Sequence, residues 1–245
     1  MNKILGIIIV AIVVVGGIYL MTRAPKTSDP QEQSQNTTAE GKVIFSITDA
    51  TADMSAISEI NMQVNSVYVH SNQSGWVTVS TTPRVYNLLS LDARGESEFL
   101  AEANVKAGTY DQVRLVVDSV AIKTKAGETK VAKLPSGELK INTVLVVNAN
   151  TTSSINFDFL ADKSLHTASD GNYIFAPVVK TETKSNASVS VNASNVVTIT
   201  GGRIDNTNTV GMDIDGSIEV NFQIDSKQKL DLDASGVIKL NGLLN

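Results

Sequence analysis

Few side chains in this 245-residue chain are equipped for chemistry. There is no cysteine, which removes disulfides, thiolate metal sites and thiol nucleophiles together. His70 at a predicted strand end and His166 in a polar loop stand in no metal-ligand spacing and read as solvated surface groups. Ser136, in Pro-Ser-Gly-Glu, lacks the second glycine of a nucleophile elbow and reads as a turn serine. Gly201-Gly202 leads into no apolar-periodic helix, so it reads as a turn and not a phosphate loop.

Carboxylates form the least bland set. Asp49 with Asp53, and Asp158 with Asp162, stand at the ends of predicted strands. Loop oxygens of this kind could contribute to a Ca²⁺ site, which takes roughly six to eight oxygen ligands. The preferred reading is that each aspartate caps a turn of its own backbone. Asp213-Ile214-Asp215-Gly216 begins like a calcium loop but lacks the third ligand position and the distal glutamate. A glycosidase needs only two acids about 5–9 Å apart, but aromatics, which sugar-cleaving sites use as stacking faces, are 5% of the chain. The expectation is a protein with no catalytic residues, metal or cofactor. A net charge of −5 without a Lys/Arg cluster argues against nucleic acid.

The elements that must position these residues are strands. Val105-Lys106-Ala107-Gly108-Thr109-Tyr110 reads as a corner, with Gly108 allowing the bend and Tyr110 opening a strand in which Val113, Leu115 and Val117 alternate with polar residues. A tyrosine so placed in a β-sandwich sends its hydroxyl back to the corner's backbone. Val43, Phe45 and Ile47 share one face of an earlier strand. Between Ile60 and Val69 the alternation changes phase, predicting a bulge near Asn65-Ser66. Ser71 to Gly75 and Lys125 to Glu128 read as hairpin turns, and Val85 to Leu91 as a further buried strand. Pro177 places its strand at an edge or bulge, because proline donates nothing to a ladder. Only Ala52 to Ile60 offers a helical turn. A composition shift at Thr183 to Ser188 marks a boundary, followed by strand candidates Val196–Thr200, Ile218–Ile224, Lys229–Asp233 and Val237–Leu240. The expected fold is all-β: an antiparallel β-sandwich over residues 41–184 with a small C-terminal β region over 185–245.

Residues 1–21 read differently. Ile4 to Met21 is uncharged and almost wholly aliphatic, and as a helix spans ~27 Å, close to a bilayer's hydrocarbon core. It is longer than a signal-peptide core and ends without an Ala-x-Ala site, so an uncleaved transmembrane anchor is expected over a cleaved signal. Residues 22–40, rich in Gln, Ser, Thr and Asn, read as a disordered tether. The Ser/Thr/Asn-rich β region then points to a domain outside the cytoplasm of a single-pass membrane protein.

Several ordered blocks carry a resemblance. Gly41-Lys42-Val43 through Thr48-Asp49-Ala50, Gly75-Trp76-Val77-Thr78-Val79, Ala107-Gly108-Thr109-Tyr110-Asp111-Gln112-Val113-Arg114-Leu115, and Leu134-Pro135-Ser136-Gly137-Glu138-Leu139-Lys140-Ile141 are similar to the domain of unknown function family 4382 (DUF4382). Phe157-Asp158-Phe159, Asp162 to Leu165 and Tyr173 to Val178 complete it. The resemblance implies an extracytoplasmic β-sandwich of bacteria and archaea. Many relatives carry a lipid-modified cysteine that this chain lacks, and the family has no assigned activity, so no functional residue carries over.

The leading expectation is therefore a non-catalytic, membrane-anchored surface module, with a cell-surface protein or a glycan as partner. A pilin-like filament subunit cut after Gly6 is a second reading, weakened because Ala11 stands where a pilin has glutamate. Carbohydrate binding through Trp76, Tyr68 or Tyr86 is a third, although a lone tryptophan is more often core than platform.

Overall fold

The computed structural model describes residues 39–50, 54–225 and 228–241. The predicted anchor, nearly all of the tether and Asp53 lie outside them. Among the described residues no helix is long and apolar enough to cross a membrane.

The alternating segments form strands, and the described residues are all-β apart from two short helices. In order, β1 (Glu40–Asp49), β2 (Ile57–Ser71), β3 (Gly75–Ser80) and β4 (Arg84–Asn87) lead to α1 (Leu88–Arg94). Then come β5 (Ser97–Lys106), β6 (Gly108–Thr124), β7 (Thr129–Val131), β8 (Glu138–Val147) and β9 (Thr152–Phe159), followed by α2 (Ala161–Ser164). The remainder is β10 (Leu165–Thr167), β11 (Tyr173–Phe175), β12 (Val178–Val191), β13 (Val196–Met212), β14 (Ile218–Val220), β15 (Lys229–Leu232) and β16 (Ile238–Asn241).

One sheet runs β12-β9-β1-β5-β13-β14, and β12 also pairs with β13, so five of its strands form a closed circuit. The other runs β3-β2-β6-β7, with β4 also on β2 and β8 also on β6. Val43, Phe45, Ile47, Phe157 and Phe159 from the first sheet meet Val67, Val69, Val113 and Leu115 from the second in one core, each at most 1% exposed. The purely antiparallel expectation fails where β1 and β9 pair in parallel. The whole second sheet lies between them in sequence and serves as the long crossover that a parallel pair requires.

Local chemistry explains the other departures. Val85 to Leu91 is not one strand, because Asn87 accepts a bond from Ser90 N at 3.3 Å and starts α1, which Gly95 ends in the left-handed region. Leu88 and Leu91, three apart, then bury together. No helix occupies Met54 to Ile60; Ile57 already begins β2. The β2 pairing with β6 slips between Val64 and Ser66, where the phase change falls. Pro177 stands between β11 and β12, outside any strand.

The composition shift at Thr183 to Ser188 falls inside β12 and marks where that strand leaves the core. Gly201 and Gly202 are not a turn between strands: they bend β13 in mid-strand with φ of +61° and +78°, opposite Asn186 at +53°. A Cβ on Gly202 would lie 2.9 Å from both Ala187 Cα and Ser185 O. Beyond the bend Val196 and Val197 pair with Glu98 and Ser97 of β5, which closes the circuit. A second small core joins Ile224, Leu230 and Ile238 of the C-terminal part to Ala168, Ile174 and Ala176.

Candidate functional site

The most elaborated polar surface lies on the outer face of the second sheet. Register places Trp76 of β3 opposite His70 of β2, His70 opposite Gln112 of β6, and Gln112 opposite Asn142 of β8. The adjoining row is Thr78, Tyr68, Arg114 and Lys140. Val67, Val69, Val113, Leu115 and Ile141 alternate with these residues and fill the core, so the two rows point away from it.

These side chains hold one another in place. Asp111 stands where the β6–β8 register slips between Tyr110 and Gln112, one residue on β6 facing two on β8, and its Oδ1 lies 2.7 Å from His70 Nδ1. Bulges re-aim a side chain in this way. Gln112 Nε2 donates to Asn142 Oδ1 at 2.5 Å. The Arg114 guanidinium carbon lies 4.0 Å from the Trp76 ring centroid and 5.3 Å from that of Tyr68. Its Nη1 meets Glu138 at 3.3 Å, and Lys140 meets the other Glu138 oxygen at 3.0 Å. Lys140, and after it Arg114, hold the Glu138 carboxyl below the ordinary range. Trp76 stays 40% exposed, with His70 5.1 Å away at a tilt of 54°. His70, Trp76, Asp111, Gln112 and Asn142 line a shallow depression of about 430 Å³. Chemically this offers one flat aromatic surface, two amides and a carboxylate; among the described residues no side-chain hydroxyl bonds the His70 ring.

The aspartates singled out by sequence do not converge. Asp49 shares the inward phase of Phe45 and Ile47 and accepts from Ala161 N at 3.1 Å, capping α2 from 112 residues away. Asp158, between buried Phe157 and Phe159, points to the opposite face; burial pushes its carboxyl up, against Lys180 and the Ala50 N–H. Asp162 lies in the first turn of α2. Among the described residues no group of three or more metal-ligating side chains is gathered. Asp215 caps its own turn through Ser217 N at 2.8 Å, and Ser136 Oγ accepts from Glu138 N at 3.0 Å. His166 is not a fully solvated surface group: it is half-buried in the β10–β11 hairpin, and that burial pushes its imidazole down. Tyr86 is buried and donates to Phe99 O at 3.0 Å, so it presents no sugar platform. Tyr110 donates to Lys106 O at 3.0 Å across the corner at Gly108.

Comparison with protein-family models matches residues 40–177 to the family described as a domain of unknown function, DUF4382. The chain belongs to the DUF4382 family. No curated protein and no solved structure matches it. The DUF4382 match holds every residue of the outer-face rows and ends just before β12. Strands beyond it seal the DUF4382 part along β8: Asn208 Nδ2 donates to Asn142 O at 2.7 Å and Thr183 Oγ1 to Val144 O at 2.6 Å. Ser153 Oγ, from β9, takes Val146 O at 2.7 Å.

Trp76 opposite His70 was legible in the sequence, since both flank the Ser71 to Gly75 turn. Asp111, Gln112, Arg114 and Asn142 were missed as site residues, because only the β2–β6–β8 register brings them there.

Proposed function

We propose that this DUF4382 protein is a non-catalytic binding module, held in the membrane by Ile4 to Met21 with its β domain outside the cytoplasm. The observation that carries the reading is the outer-face row Trp76–His70–Gln112–Asn142, braced by Arg114. Tryptophan and arginine are the side chains most enriched where proteins bind partners, and here they meet on one outward face. The anchor is supported by the length and apolarity of the N-terminal run.

The test uses the detergent-solubilised full chain and envelope fragments from the organism that encodes it. The wild type should sediment with the fragments and Trp76→Ala should remain in solution. Protease added to intact cells should remove the β domain. Equal sedimentation of both proteins, or polymer hydrolysis abolished by one carboxylate substitution, overturns the reading.

A further inference from the structure

The geometry points to an uncharged pyranose unit of a glycan chain as the ligand of the outer-face depression, an inference that rests on reading this face as a binding surface. Three features carry it.

The first is a single flat surface. The Arg114 guanidinium lies over the Trp76 ring and the His70 ring stands 5.1 Å away at a tilt of 54°, yet Trp76 remains 40% exposed. The π-face carries the negative lobe of the ring quadrupole. The C–H bonds on one side of a pyranose are weakly positive and nearly coplanar, and they match such a surface in shape and sign. Arg114 is itself tied to Glu138, so the ring is braced before any ligand arrives.

The second is the polar set beside it. The bond from Gln112 Nε2 to Asn142 Oδ1 leaves Gln112 Oε1 as an acceptor and Asn142 Nδ2 as a donor. Asp111 adds a carboxylate whose Oδ1 is engaged by His70. Sugar hydroxyls both donate and accept, and a mixed set of this kind satisfies adjacent hydroxyls together.

Charge is the third. Arg114 and Lys140 contribute +2 and their neighbours Glu138 and Asp111 contribute −2, so these four side chains sum to zero. Nothing there favours a phosphate, a uronate or an oppositely charged protein surface. The depression is shallow, and Trp76 on its wall belongs to the border strand β3, so it suits a unit within a chain.

Trp76 is the only tryptophan in the chain, so the emission of the full-length protein reports on the proposed site. The full chain, in a detergent without a sugar headgroup, is titrated with cellohexaose, chitohexaose and mannohexaose, with hexagalacturonate as the charged counterpart. At least one neutral hexasaccharide should shift the emission saturably, with no change in about 1 M NaCl, where the Debye length is ~3 Å. Gln112→Ala and Asn142→Ala should each weaken that binding about tenfold, the size expected for one lost hydrogen bond. The inference is overturned if no neutral hexasaccharide shifts the emission, or if only hexagalacturonate does so and salt abolishes it. Should envelope sedimentation depend on Trp76 while every neutral saccharide is silent, the binding module stands with a protein partner and the glycan inference falls. Sedimentation indifferent to Trp76 overturns the binding reading itself.

Discussion

Along β8, the carbonyls of Asn142, Val144 and Val146 are taken by Asn208, Thr183 and Ser153 of the first sheet, whereas along β3, on the other side of the second sheet, Trp76 lies half-exposed beside polar groups that bond only one another. Both regions hold polar side chains, yet the first set is committed to backbone and the second, on β2, β6 and β8 beside Trp76, is presented outward. An uncapped strand border invites unplanned pairing, and capping its carbonyls with side chains blunts it. The comparison separates polar residues that make the fold from polar residues that remain free to meet something else. Asn142 belongs to both: its carbonyl is fixed by Asn208 while its side chain completes the outer row.

The sharpest way to break this contrast is at the seam. Thr183→Val keeps the shape of a fully buried residue but strands Val144 O, and should cost about 1–3 kcal/mol in urea unfolding while leaving envelope sedimentation intact. Tyr110→Phe removes one buried hydrogen bond, the one to Lys106 O, and should lower stability by about 1 kcal/mol; an unchanged midpoint would remove the corner from the account. Trp76→Ala forfeits an arginine contact on a half-exposed ring, about 0.5–1 kcal/mol, yet should abolish retention on the envelope. A larger stability loss there than at Thr183 would erase the distinction between the two regions.

Asp158→Asn should give the smallest effect, and of opposite sign. Burial raises the folded carboxyl above its ordinary 3.8, so the fold binds an extra proton between that value and the raised one. Its contribution to stability therefore falls as pH rises through this window. Thermal melts should show the asparagine variant more stable at neutral pH, with the gap closing as pH approaches about 4. A gap that widens on acidification would contradict the sign.

The parts of this molecule that were readable in the sequence are those with short-range signatures. Alternation disclosed β1, β2, β6 and β9, whereas β12 was broken at the composition shift and β13 was read only to Thr200; the Gly108–Tyr110 corner spans only the five residues from Lys106 to Tyr110. Short apolar runs are ambiguous, and Val85 to Leu91 took its helix from Asn87 and Gly95, which an alternation reading passes over. The supposed calcium ligands were separated by strand phase, since Asp49 keeps step with Phe45 and Ile47 while Asp158 is out of step with Phe157 and Phe159. The seam left no local trace: Thr183 and Asn208 meet carbonyls 39 and 66 residues away, and nothing near either residue announces it. The outer-face cluster was half-legible for the same reason, because one hairpin turn fixes Trp76 against His70 but two long-range registers deliver the rest.

The position of β1 has a mechanical consequence. It is the first strand of the domain, and it is held by eight registered pairs to β5 on one side and eight to β9 on the other. A pull delivered through the N-terminal residues therefore enters at a central strand, not a peelable border. The load is divided over two ladders at once, one antiparallel and one parallel, before any part of the outer face is disturbed.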